Sequence, residues 1–300
     1  MTETKTDIVS RLLEAGIHFG QRRSKWNPKM KPYIWGVRNG LHIIDIRETV
    51  KGLMRAKLYI QNTVEAGKDV VFVGTKRQAQ SAVQKYASEA EMPWVTERWL
   101  GGTLTNFQTI RSRLKRLIEL ENLVDSGEIE TYSKKMTSQL MREKAKITRN
   151  LDGIRNMNKL PGAMVVVDAN NETNALREAT ALRIPTIALI DSDGNPDLVD
   201  IPIPGNDDSL RSIEVVIAEL MSAVSDGLAG RRAKEAAAQR KAEEEAKAEA
   251  KAAAAHEEAK TRSARASFKA DDSDPASTEE QSAPAIATAE TPPTEKDNSQ

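Results

Sequence analysis

Between Gln21 and Arg38 the chain carries six basic residues and no acid: Arg22, Arg23, Lys25, Lys29, Lys31 and Arg38. Trp26 and Tyr33 are threaded among them, and Asn27 sits between Trp26 and Pro28. Lysine and arginine neutralise phosphates and release their counterions. Aromatic rings stack on unpaired bases or bury against neighbouring structure. Pro28 and Pro32 stiffen the segment. An acid-free stretch of eighteen residues is more than a solvated loop needs, and it points to a polyanionic partner.

A second group begins at Arg98-Trp99-Leu100-Gly101-Gly102-Thr103-Leu104-Thr105-Asn106. Adjacent glycines let backbone approach a partner closely, and Thr105 or Asn106 is placed to cap the helix that follows. Arg111, Arg113, Lys115 and Arg116 then recur along that helix, with no acid from Arg98 to Ile118. A return helix carries Lys134, Lys135, Arg142, Lys144, Lys146 and Arg149 against Glu143 alone. Two helices basic along both strands would enter grooves between RNA helices and read shape rather than sequence.

Enzymatic chemistry has less support. Gly74-Thr75-Lys76-Arg77 turns from a strand into a helix, where a lysine and helix amides can hold a phosphate. The G-x-x-x-x-G-K-[ST] and G-x-G-x-x-G spacings of nucleotide sites are absent. Lys76 and Arg77 are therefore read as cations for RNA phosphates. A nucleotide-binding enzyme on the same sheet stays the rival reading, and a helix-pair interaction protein without RNA is a second. Of the three histidines, His42 opens an apolar strand, His256 lies in a low-complexity tail, and His18 sits between Ile17 and Phe19. Histidines so placed are more often packing residues than catalysts. Asp191, Asp193, Asp207 and Asp208 would bind a hard cation only if their loops met. They are read as solvated turn carboxylates, with Asp191, Asp207 and Asp208 turned away from RNA toward a protein partner. No metal, cofactor or small-molecule substrate is expected.

These groups need a scaffold. Thr6–Ala15 has helical periodicity, Gly20–Gly40 reads as a loop, and His42–Ile46 reads as a strand. Helical patterns over Arg47–Ala66 and Thr75–Glu91 flank the apolar run Val70–Val73, and Trp94–Thr96 is strand-like. Strands over Met164–Val167 and Thr186–Ile190 flank a helix over Asn171–Arg183. A loop over Asp191–Asp208 then leads to an amphipathic helix over Ser209–Leu228. Strands alternating with helices imply a doubly-wound parallel sheet of about five strands. From Asn106 to Asn158 the alternation stops. Ile110, Leu114, Leu117 and Val124, then Leu140, Ile147 and Ile154, form two heptad-like stripes around Asp125-Ser126-Gly127. They predict an inserted antiparallel hairpin of coiled-coil character.

The formal net charge is zero over 300 residues, but the charges are segregated. Residues 168–208 hold nine acids against Arg177 and Arg183, and residues 231–300 carry a net charge of −3. The sheet domain is assigned to 1–105 and 159–228, and the hairpin to 106–158. Residues 229–262 are read as a helical or fluctuating Ala/Glu/Lys tail, and 263–300 as disordered. There is no cysteine, no signal-like apolar core near Met1, and no run of about 20 apolar residues. Together these point to a soluble, cytoplasmic protein with no membrane partner.

Several motifs occur in order from about Ile8 to Gly227. They are Gly16-Ile17-His18-Phe19-Gly20, Trp26-Asn27-Pro28-Lys29-Met30, Val73-Gly74-Thr75-Lys76, Arg98-Trp99-Leu100-Gly101-Gly102 with Leu104-Thr105-Asn106, and Ile203-Pro204-Gly205-Asn206-Asp207-Asp208. Pro161 through Asp168, with Glu172, Glu178 and Ile184-Pro185, adds a further signature. On these residues the chain resembles the bacterial ribosomal protein S-two family of the small subunit. The resemblance implies a flavodoxin-like or Rossmann-like sheet domain with a protruding helical hairpin. It implies a place on the solvent side of the small subunit, between head and body. Binding to small-subunit ribosomal RNA, docking of the messenger-binding ribosomal protein S-one, contacts with neighbouring ribosomal proteins and a lack of catalysis follow from it as expectations. One departure is Gln21, where relatives often carry a second histidine. The tail beyond Leu228 is longer than is usual in the family.

Overall fold

Val70-Val71-Phe72-Val73 is apolar at every position, so a strand built from it must be covered on both faces. The computed structural model, which describes residues 5–270, shows how this is met. Five strands form one parallel sheet: β4 (Val70–Val73), β5 (Trp94–Val95), β6 (Ala163–Val167), β7 (Thr186–Ile190) and β8 (Ile201–Pro204). Their spatial order is β5-β4-β6-β7-β8, the flavodoxin-like doubly-wound order. Phe72 pairs with Val165, and Val165 with Ile187.

Alternation along the strands separates two cores. Val70, Phe72, Val165, Ile187 and Ile203 face one way, onto α1 (Lys5–Glu14), α2 (Ile46–Glu65), α3 (Arg77–Glu89) and the start of α7 (Leu210–Ala270). Val71, Val73, Met164, Val166 and Ala188 face the other, onto α6 (Thr173–Ala181) and the feet of α4 (Phe107–Asp125) and α5 (Lys134–Leu151). Burying a side chain such as Phe72 contributes about 2–3 kcal/mol.

Two strand assignments differ from the sequence reading. The segment Gly20–Gly40 is not a loop throughout. It contains β1 (Phe19–Arg22), a short 3-10 helix over Pro28–Tyr33 and β2 (Ile34–Arg38). The run around His42 is β3 (Leu41–Ile44), the middle strand of a separate antiparallel sheet ordered β1-β3-β2. Asn39 (φ 51°) and Gly40 (φ 75°) form the two-residue turn between β2 and β3. Positive φ at both positions is what Asn-Gly in a tight hairpin supplies. The fifth parallel strand is β8, which lies inside the stretch read as an acidic loop. Its Ile-Pro-Ile-Pro sequence suits an edge strand, where prolines need not donate to a ladder.

Between β5 and β6 the chain forms α4 and α5, joined through Gly127 (φ 74°) and a 3-10 turn at Glu128–Thr131. Leu117, Leu120 and Leu140 are buried along the pair, and Arg116 reaches Glu143 across it (3.6 Å). Ile110, Leu114 and Leu151 instead join the sheet's second core. The feet of the pair are thus packed into the domain, which fixes where its cations stand.

Two compact units divide the chain, Met1–Ala238 and Gln239–Gln300. In the second unit, backbone is helical to Ala270. That helix covers the 229–262 stretch and the first residues after it. Strong helix formers persist there, and no proline occurs between Pro204 and Pro275. The remainder of the stretch read as disordered lies outside the described residues.

Candidate nucleic-acid interface

The basic segment is mounted on the antiparallel sheet and the 3-10 helix. Asn27 caps that helix by accepting from the Lys29 amide (3.0 Å), and Met30 anchors it in the second core. Asn27 also donates its backbone N–H to the Ser192 carbonyl (2.9 Å), which ties the segment to the turn after β7. Arg22, Arg23, Lys25 and Lys31 are exposed, and no carboxylate lies within ion-pair distance of them among the described residues. Lys29 is exposed but paired with Asp197. Trp26 leans on His42, with ring centroids 5.2 Å apart, so it helps cover a histidine that is 5% exposed and has neither ring nitrogen bonded. Among the described residues the most exposed aromatic is Trp35 on β2, 72% exposed, with Val37 and Phe19 also exposed. Sequence pattern alone does not single out Trp35, because the charged, glycine-containing hairpin that presents it looks like loop.

Lys76 stands elsewhere than a phosphate anchor should. Gly74-Thr75-Lys76 leaves β4 at the switch point between β4 and β6, the crevice where such sheets bind ligands. The Lys76 ammonium lies 2.7 Å from Asp207, 2.6 Å from Asp208 and 3.5 Å from Asp168, with only 17% of its side chain exposed. Burial alone would lower its pKa, but the hydrogen bonds to Asp207 and Asp208 carry it upward. Asp168, at φ 71° just after β6, is turned back into this crevice and accepts from the Asn170 amide (3.0 Å). Beside it, Glu172 is buried and takes the Thr75 hydroxyl and amide, and burial raises its pKa. At the switch point Lys76 is thus already paired with carboxylates of this chain. Arg77 is exposed at the start of α3 and keeps its place among the candidate cations.

The acidic loops do meet. Oxygens of Asp191, Asp207 and Asp208 lie within 4.8 Å of one another, a spacing that could hold a metal ion, and the Lys76 ammonium supplies positive charge there. Gln21 donates to Asp191 (3.2 Å) and to Asp208 (2.5 Å), so this cluster adjoins the basic segment rather than facing away from it. Asp191 and Asp207 are 1% and 3% exposed. They cannot form a protein-facing surface as the sequence reading had it, because folding β8 beside β7 draws both turns inward; Asp208 alone is exposed. Burial pushes Asp191 up to about 6, and burial together with Asp168 pushes Asp207 up to about 8.

Arg98 is exposed beside a loop held by one carboxylate. Glu178 of α6 accepts from the Trp99 indole (3.0 Å) and from the amides of Gly102 (2.8 Å), Leu104 (3.0 Å) and Thr105 (3.2 Å). Burial works against its charge, yet these donors hold its pKa below the usual value. Asn106 occupies the N-cap position of α4, where its side chain takes the Thr109 hydroxyl (2.7 Å) and no backbone amide. On the helix pair Arg111, Arg113, Lys115, Lys134, Lys135, Arg142 and Lys146 are exposed, and Lys144 is half-buried. Arg116 is tied to Glu119 and Glu143, and Arg149 to Glu97 (2.7 Å).

A doubly-wound α/β sheet with exposed cations around it, and with Lys76 and its carboxylates at the switch point, defines the class as an α/β scaffold with a basic surface. The profile described as ribosomal protein S2 matches residues 12–227. The small ribosomal subunit protein uS2 of Rhodopirellula baltica is 55% identical over 231 residues, 77% of this chain and 88% of the relative. That of Salinispora tropica is 49% identical over 227 residues, 75% of this chain and 77% of the relative. Protein uS2c of Rhodomonas salina is 46% identical over 223 residues, 74% and 92% of the two chains. The chain belongs to the ribosomal protein S2 family. Its role is structural and non-enzymatic, on the ribosome in the cytoplasm. No helix among the described residues is long and apolar enough to cross a membrane.

Proposed function

We propose that this structural ribosomal protein is anchored to small-subunit ribosomal RNA by the Arg22–Lys31 segment, by Arg77 and Arg98, and by the exposed cations of α4 and α5. The observation that carries this is the set Arg22, Arg23, Lys25 and Lys31. All four are exposed and unpaired among the described residues, on a segment tied to the sheet through Asn27. Cations held so, without acidic partners, gain most from phosphate contacts. A variant carrying Arg22→Ala, Arg23→Ala, Lys25→Ala and Lys31→Ala tests it. Binding to small-subunit particles assembled without this protein should lose about 3–4 units of log–log salt slope, on the scale of 0.7–0.9 per phosphate contact. An unchanged slope would remove the segment from the interface.

The messenger-binding ribosomal protein S-one is the protein partner the family resemblance implies. The exposed Trp35 and Val37, two residues apart on the edge strand β2, favour this reading, since exposed apolar surface marks protein contacts. A photo-crosslinking residue at position 35 should capture S-one on assembled small subunits. Capture of ribosomal RNA there instead would give this face to RNA.

A further inference from the structure

At the foot of α5 two clefts lie side by side, of about 510 Å³ and about 340 Å³, with Lys146 and Asn150 in the walls of both. The larger is bounded by Glu97 and Arg98 on the loop side and by Lys146, Arg149 and Asn150 on α5. Arg149 is engaged by Glu97 at 2.7 Å. Arg98 and Lys146 are exposed and have no carboxylate within ion-pair distance among the described residues. Three cations against one acid leave this cleft a net charge of +2. The Asn150 amide nitrogen is taken up by the Lys146 carbonyl (3.0 Å), so Asn150 Oδ1 is left to accept. A guanidinium fork, an ammonium and one amide oxygen suit phosphates joined by sugars that carry a hydroxyl donor.

The loop wall of this cleft depends on Glu178. Gly101 has open space around it and Gly102 stands at φ +91°, so the glycines do not fix the loop, while Trp99 and Leu104 on either side of them are buried in the second core. The loop is held from beneath by the Trp99 indole, the Gly102, Leu104 and Thr105 amides and the Thr105 hydroxyl, all donating to one carboxylate. Arg98 directly precedes Trp99, so its backbone inherits the position that Glu178 sets.

We propose that the cleft between Arg98 and α5 seats an RNA sugar-phosphate strand, and that Glu178 is the positioning residue that holds Arg98 for it. This rests on the RNA reading above and adds to it a place, a ligand chemistry and a residue that never touches the RNA. Glutamine at 178 would keep the shape, but it would offer one oxygen and a competing amide to donors that need two oxygens.

A double-mutant cycle tests the proposal, using the full chain and small-subunit particles assembled without this protein, at two salt concentrations. Arg98→Ala should weaken binding about tenfold and lower the salt slope by about one, as loss of a single phosphate contact does. Glu178→Gln should do the same without touching phosphate, and the double variant should be no more than about twofold weaker than either. Fully additive losses would overturn the positioning role, since a merely structural glutamate weakens binding whatever stands at 98. Should Arg98→Ala and Lys146→Ala both bind normally while the fourfold basic-segment variant does not, the cleft falls and the RNA reading stands. Normal binding by all of them would take the RNA reading down with it. If Glu178→Gln melts below the assay temperature, Glu178→Asp, which keeps the charge on a shorter stem, replaces it in the cycle.

Discussion

Replacing Lys76 by methionine should destabilise the fold by an amount that depends on pH. Its ammonium serves Asp207 at 2.7 Å, Asp208 at 2.6 Å and Asp168 at 3.5 Å. Asp208 has half its side chain in water and is screened, so little is lost there. Asp207 is buried, so its charge would be uncompensated without Lys76, a cost that grows only as the carboxylate ionises. Asp207 already titrates near 8 in the fold, because of burial first and Asp168 second, against an ordinary value near 3.8. The folded state therefore binds more protons than the unfolded chain between about pH 4 and 8, and this contribution to stability is lost as pH rises across that window. Without Lys76 the folded pKa moves higher still and the fall extends above pH 8. Each unit of further shift adds about 1.4 kcal/mol at alkaline pH. Urea unfolding of the full chain at pH 5.5 and 8.5 measures this: native Asp207 is only about half a unit past its own pKa at pH 8.5, so Lys76→Met should lose up to about 0.8 kcal/mol more at the higher pH. Adding Asp207→Asn should remove most of that difference. A cost equal at both pH values would mean that Lys76 is not the counter-ion of a buried carboxylate.

Other perturbations follow from the packing. Gly52→Ala would set a Cβ 2.4 Å from the Pro202 carbonyl, wedging α2 off β8; a loss of about 2–3 kcal/mol in thermal unfolding is expected, and a neutral result would contradict that contact. Leu117→Ala empties a fully buried position between α4 and α5. Its cost of about 2–4 kcal/mol should appear as faster amide exchange confined to those helices. Gly102→Ala must adopt φ +91° and should cost about 1–2 kcal/mol, with weaker RNA binding; unaltered RNA affinity would detach the loop from the interface.

Most of the sheet was legible because its strands are short, wholly apolar runs set between helical periods. Val70–Val73, the run ending at Val167 and Thr186–Ile190 announce themselves in this way. What escaped had conflicting local signals. Arg22 and Arg38 end strands whose charged, glycine-containing sequences look like loop, and only Asn39-Gly40 betrays the hairpin. Pro202 and Pro204 disguise β8, because proline is tolerated there only by the strand's edge position. The site divides the same way. An acid-free run of cations is visible in one dimension, so Arg22, Arg23 and Lys25 could be picked out directly. The partners of Lys76 are 92, 131 and 132 residues away along the chain, and no local pattern links them.

That long-range pairing also bears on how a chain of zero formal charge would hold the polyanion proposed above. The acids between Asp168 and Asp208 suggested a repulsive face, yet the fold draws several of them inside. Asp191, Asp207 and Glu172 are buried. Asp168, Asp207 and Asp208 share one ammonium, and Glu178 is wrapped by backbone amides. The cations of the Arg22–Lys31 segment and of α4 keep their charge in solvent. Segregation that reads as left against right along the sequence becomes, in part, inside against outside in three dimensions. The field met by an approaching phosphate is set by exposed groups, since buried and paired charges largely cancel at a Debye length of about 8–10 Å. Lys76 is the hinge of this arrangement: it removes one cation from the surface and hides the charge of the carboxylates around it.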